Sequence, residues 1–201
     1  QVAGSGTNGY YTGGYTLGIE RQAAGSRHLQ SIIATAASGT PASAGLASAN
    51  VGQTITLAGN FSTADRVVFT ATDTNGNLFE QVVAPASLDI QAGTLTVQVP
   101  QYASTGTLRL ERDLTGLILQ IVPTISGVTD GGSGSLSVSG SGFVEGDTAV
   151  LLPGLSINDP SRYLGTDVNG PASLTALGPV GWSRTTVAVQ TTGGTSAAFT
   201  P

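Results

Sequence analysis

The reactive side chains of this chain offer oxygen chemistry and little else. Its 201 residues carry twelve acids, seven basic residues, one histidine and no cysteine. Zero cysteine removes disulfides, thiolate metal ligands and thiol nucleophiles together. His28 has no second histidine or cysteine to complete a metal set, and its Arg-Gly-Ser-rich surroundings suit a solvated linker residue. Gly132-Ser133-Gly134 and Gly140-Ser141-Gly142 are turn glycines, because a nucleophile elbow needs Gly-x-Ser-x-Gly between a strand and a helix. Oxygen ligands for a hard cation remain. Asp73-Thr74-Asn75-Gly76-Asn77 with Glu80 outlines such a loop, but a calcium-binding helix–loop–helix needs glycine sixth and glutamate twelfth. Leu78 and Ala84 stand there instead, which favours a hairpin turn. Glu145, Asp147, Asp159 and Asp167 are the weak calcium candidates, at a domain junction; no other cofactor is indicated. Trp182, the single tryptophan, with Tyr163 could stack on a sugar face, or more simply pack on the end of a core. No acid, base and nucleophile set can be assembled, so the chain reads as a non-enzyme.

The elements that would position these residues are strands. From Ser135 to Leu152, Leu136 and Val138 alternate with serines, Gly140 and Gly142 interrupt, Phe143 follows, and a polar turn leads to the apolar run Ala149–Leu152. That is strand, glycine-bent corner, strand. Thr54 to Phe69 repeats the pattern: Ile55 and Leu57 alternate with threonines, then come Gly59 and Phe61. Phe61 and Phe143, Asp65 and Asp147, and Val68 and Val150 are each 82 residues apart, which indicates an internal duplication. Between Ala71 and Leu78, Asn75-Gly76 marks a hairpin in which both residues tolerate positive φ. Leu95–Pro100, Gly106–Glu111 and Leu117–Val122 read as further strands. In the second copy, Arg184–Gln190 is expected to echo 94–99 and Gly193–Phe199 to echo 106–110, with a proline-marked loop across 153–179.

Tyr15, Leu17 and Ile19 also alternate, so residues 10–20 form one strand that cannot stand alone. The expected organisation is therefore an N-terminal strand or hairpin in 1–24, one β-sandwich in 25–123 and a second in 124–201. The fold class is all-β. Charged residues make up only 9% and glycine 29 of 201 positions, which suits short strands and tight turns rather than helical bundles. A net charge of −5 argues against nucleic acid and anionic membrane surfaces as partners. No apolar run reaches the roughly 18 residues of a helical membrane span. No charged start or apolar h-region is visible at Gln1, and the sequence looks like a mature or excised portion of a longer protein. The absence of both oxidisable residues, cysteine and methionine, points to an extracellular setting.

Three motifs carry a family resemblance: the proline-led entry Pro123-Thr124-Ile125-Ser126-Gly127-Val128, the Val138–Phe143 corner, and Val97-Gln98-Val99-Pro100 followed by Ala103 and Gly106. In order, they resemble the IPT/TIG immunoglobulin-like domains over about residues 30 to 201. The first copy departs by lacking the proline-led entry, and the second by carrying Gln190 where Pro100 stood and by its long 153–179 segment. Residues 13–19, GGYTLGI, are similar to the closing strand of pre-peptidase C-terminal β-sandwiches. The resemblance implies two tandem Ig-like antiparallel sandwiches acting as a spacer or adhesive segment of a secreted or cell-surface bacterial protein. Its partners would be neighbouring Ig-like domains, copies of itself, or a surface glycan or protein. Two rivals follow from the residues. One is a self-assembling filament in which strand 10–20, through Tyr11, Tyr15, Leu17 and Ile19, joins the sheet edge of a neighbouring copy. The other is a carbohydrate-binding module using Trp182 and Tyr163.

Overall fold

The computed structural model describes residues 27–159, 166–179 and 185–201, and among these every regular element is a strand. The first half contributes β1 (His28–Ile33), β2 (Thr40–Pro41), β3 (Ala47–Ala49), β4 (Thr54–Asn60), β5 (Val67–Thr72), β6 (Leu78–Val83), β7 (Ser87–Asp89), β8 (Thr94–Gln98), β9 (Ala103–Leu110) and β10 (Gly116–Ile121). The second half contributes β11 (Thr124–Gly132), β12 (Ser135–Ser141), β13 (Ala149–Leu152), β14 (Leu155–Asn158), β15 (Thr166–Gly170), β16 (Ser173–Leu177), β17 (Ala188–Thr191) and β18 (Gly194–Thr195).

They form four sheets, ordered β1-β4-β8-β7, β3-β10-β9-β5-β6, β11-β12-β16-β15 and β14-β13-β17-β18-β2. All pairs are antiparallel except β3 with β10. Period-two alternation puts one side of each strand into a core. Ile55, Leu57, Leu95 and Val97 from the first sheet meet Val67, Phe69, Leu108, Leu110 and Leu119 from the second in one buried cluster. Leu136, Val138, Leu174 and Ala176 meet Val150, Leu152, Val187 and Val189 in another. Each cluster thus draws from two sheets, the arrangement of a β-sandwich.

The duplication is visible in register. Leu29 pairs with Gly59 and Ile125 with Gly140, and in each case a bulge follows at once, between Leu29 and Ser31 and between Ile125 and Gly127. A Cβ on Gly59 would strike the His28 carbonyl and approach the Phe61 ring; one on Gly140 would strike the Thr124 carbonyl and the Phe143 ring. Both phenylalanines are buried. The glycine in each corner is therefore a seat on which the following ring lies while the entry strand passes close behind.

Two expectations about local structure need correction. The partner of β4 in the first half is β8, and the matching partner of β12 is β16, Ser173–Leu177, inside the segment expected to be loop. Val187 and Val189 instead take the place of β9: Val150 pairs with Val189 as Phe69 pairs with Leu108, so the core position of Val150 matches Phe69 and not Val68, which stands opposite Arg109. Strands β9 and β17 share the same short alternating apolar signature as β8, so wording alone could not assign them. The hairpin at Asn75-Gly76 forms between β5 and β6, but only Gly76 has positive φ, at 79°. Asp73 Oδ1 accepts the backbone N–H of Asn75 and of Asn77, each at 2.8 Å, and its Oδ2 accepts the Asn77 side-chain amide at 3.0 Å. That bonding holds a three-residue loop closed by a left-handed glycine, in place of the two-residue turn.

These hydrogen bonds, first the Asn77 side chain and then the two backbone N–H groups, hold the Asp73 carboxyl below its ordinary pKa. A depressed folded pKa means the turn's contribution is complete above the unfolded carboxylate pKa and is lost as pH falls through the folded value. Titration followed by carboxyl NMR should show Asp73 protonating below the ordinary aspartate range, and Asp73→Ala should remove that step. Gly140→Ala should cost about 1–3 kcal/mol in urea unfolding, against at most about 0.5 kcal/mol for the exposed Ser137→Ala.

Candidate functional site: the joint between the halves

The two halves meet through backbone that one lends to the other. In the second half β11 and β12 join through a tight turn, whereas the first half has twenty residues between β1 and β4. That insertion supplies two edge strands. Strand β3 pairs with β10 at the edge of its own sheet, and β2 pairs with β18 at the edge of the second half's sheet, Pro41 opposite Gly194 and Thr40 opposite Thr195. Ala42 N–H extends this ladder to the Gly193 carbonyl at 3.2 Å.

The strap, residues 34–46, has few apolar side chains to anchor it, and buried amides anchor it instead. Asn50 is 5% exposed. Its Oδ1 accepts Ser38 N–H at 2.9 Å, while its Nδ2 donates to the carbonyls of Ser38 at 3.0 Å and Val122 at 2.9 Å. Gln120 is 2% exposed; its Oε1 accepts Ser43 N–H at 2.7 Å and its Nε2 donates to the Ser43 carbonyl at 2.8 Å. Ser48 Oγ and Gln53 Oε1 accept the N–H groups of Ala36 and Ala37. Asn50 therefore ties the strap to Val122, next to the crossover into the second half.

Two more contacts complete the joint. The β17–β18 turn presents Gly193 so closely to the Ile121 carbonyl and Thr105 Oγ1 that any Cβ would overlap them. Asp147 Oδ2 fixes that turn by accepting Thr192 N–H at 3.0 Å and Thr192 Oγ1–H at 2.8 Å. On the other side, the Cβ position of Gly76 in the β5–β6 turn lies 3.3 Å from the Glu145 carbonyl. Between these contacts is a cleft of about 260 Å³, lined among others by Thr72, Ser104, Thr105, Glu145, Asp147 and Thr192. Thr72 Oγ1 donates to Ser104 Oγ at 2.9 Å on its buried floor.

The calcium candidates are only partly brought together. Glu145 and Asp147 line the cleft. Asp159, buried, accepts Gly146 N–H through Oδ2 at 2.9 Å. Asp167 stands exposed on β15 opposite Thr175. Among the described residues no three His, Cys, Asp or Glu side chains are placed to hold a metal ion. The repeat partners Asp65 and Asp147 also diverge: Asp65 accepts Ser62 N–H at 2.7 Å within its own turn and meets Arg27 at 3.6 Å, whereas Asp147 serves the joint. Tyr11, Tyr15, Leu17, Ile19, Tyr163 and Trp182 lie outside the described residues.

The roles of Asn50, Gln120 and Gly193 escaped the sequence reading. Gln120 did leave a signal, a polar residue inside the apolar run Leu117–Val122, since a buried amide must find partners. No family model matches the chain, and no curated protein matches it above the level of chance.

Asn50→Ala would strand the Val122 carbonyl and both Ser38 groups, at a cost of about 1–3 kcal/mol. Gly193→Val should open the joint while leaving both cores intact. Thermal unfolding and domain-resolved NMR shifts should show changes concentrated at residues 38–42, 121–123 and 192–196.

Proposed function

We propose that the chain is a non-catalytic structural segment, a spacer of Ig-like repeats from a secreted or cell-surface bacterial protein. The observation that carries this reading is the joint. A strand from the first half completes a sheet of the second, buried amides hold that strand, and two further contacts flank it. Such a joint resists bending far more than a linker of a few free residues, whose stiffness rests on composition alone. A stalk needs its domains to hold one mutual orientation under load. The spacing of the sequence motifs, similar to IPT/TIG domains, supports the same reading. Extracellular location rests on the sequence argument from cysteine and methionine.

Small-angle X-ray scattering of the chain in solution tests it. One fixed arrangement of the halves should account for the profile at low and high salt, and the Gly193→Val profile should require several. A wild-type profile that needs an ensemble of orientations would remove the spacer reading.

A further inference from the structure

Eight strands stand at sheet edges among the described residues, and seven of them are blunted. Strands β2, β3 and β7 have two or three residues, and β14 has four. Strands β1, β11 and β15 are broken by bulges. Strand β6 has none of these protections. Its six residues, Leu78–Val83, pair with β5 without a register shift, and it contains neither proline nor lysine. Leu78 is 74% exposed, Val82 48% and Phe79 39%. Its one charge, Glu80, is bound by the Arg109 guanidinium at 2.7 and 2.8 Å. A long, regular, apolar edge of this kind is a template for another strand.

The ladder also fixes which backbone groups of β6 face outward. Asp73 N–H bonds the Asn77 carbonyl, so in this continuous register the backbone groups of Phe79, Gln81 and Val83 face β5. Those of Leu78, Glu80 and Val82 face outward. We propose that β6 is a self-association edge, on which two copies of this chain pair their β6 strands antiparallel about a twofold axis. Bonding through the outward groups allows two registers that overlap five residues of each strand. Centring on Glu80 would oppose the two glutamates. Centring on Gln81 sets Glu80 opposite the partner copy's Val82 and Phe79 opposite its Val83, and this register avoids the like-charge pair. It also brings the two Gln81 side chains together. Gln81 Oε1 is buried and accepts no hydrogen bond among the described residues; turned toward the axis, it meets an amide N–H of the other copy. The inference goes beyond the spacer reading and does not depend on it.

Sedimentation velocity on the full chain should show a concentration-dependent dimer. Because the protein lacks cysteine, Gln81→Cys places one thiol per chain at the axis, within disulfide reach. Mild oxidation should then give a covalent dimer, while Leu155→Cys on β14 stays monomeric. At exposed Val82, Val82→Glu should weaken dimerisation about tenfold by opposing Glu80 twice, and Val82→Lys should hold or tighten it. A chain that is monomeric throughout overturns the proposal. So does a dimer indifferent to both Val82 substitutions and not trapped by Gln81→Cys, as expected if residues 10–20 of a neighbour supplied the contact.

Discussion

A strand at the edge of a sheet leaves half of its backbone groups unpaired, and the outer edge of β18 is where this structure resolves that problem across two halves. Strand β18 is only two residues long, and its outer partner, β2, arrives from more than 150 residues earlier in the chain, Pro41 pairing with Gly194. Unpaired backbone buried at a joint costs as much as several surface contacts supply. The strap is thus tied to the second half by backbone need, and the amides of Asn50 and Gln120 then tie it to the first. Crossover, strap and turn become one connected unit.

That unit is built almost without charge. The Arg109–Glu80 pair sits on the outer face of its sheet with the glutamate side chain 63% exposed, and the Arg27 side chain in its pair with Asp65 is 45% exposed. The half-open Arg109–Glu80 pair contributes at most about 1 kcal/mol, and the buried Asp65 of the other pair, its side chain 2% exposed, is held by the Ser62 N–H as well as by Arg27. Buried neutral amides, each making several bonds, fix geometry more firmly, because losing one leaves two or three backbone groups without a partner. A sequence with 9% charged residues has this route to specificity open to it, and it does not weaken with salt.

Much of the fold was legible in the sequence. Alternation located β4, β5, β8, β12 and β13, and the paired glycine and phenylalanine corners disclosed the repeat, because a ring over a Cβ-free position leaves a two-residue mark. What stayed hidden was non-local. Strand β2 is two residues of a small-residue stretch, with no apolar period to betray it. Strand β16 lies in a segment whose prolines suggested loop, yet Ser173–Leu177 is free of them. The correspondence of β17 with β9 depends on pairing, which short alternating runs do not encode. The joint was invisible for the same reason: Gly193 matters because of Ile121 and Thr105, which lie far from it in sequence.

The claim that the second half is closed by the first half's strap is tested most directly by amide hydrogen exchange in wild type and Gly39→Val. Gly39 has φ of 82°, and its Cβ position lies 2.6 Å from the Thr195 carbonyl and 2.8 Å from Val122 Cγ1, so valine there must lift the strap. The expected result is lost protection at Ala42 and in β18 and β17 of the second half, with β4, β5 and β9 of the first half protected as before. Unchanged exchange across 187–196 would contradict it.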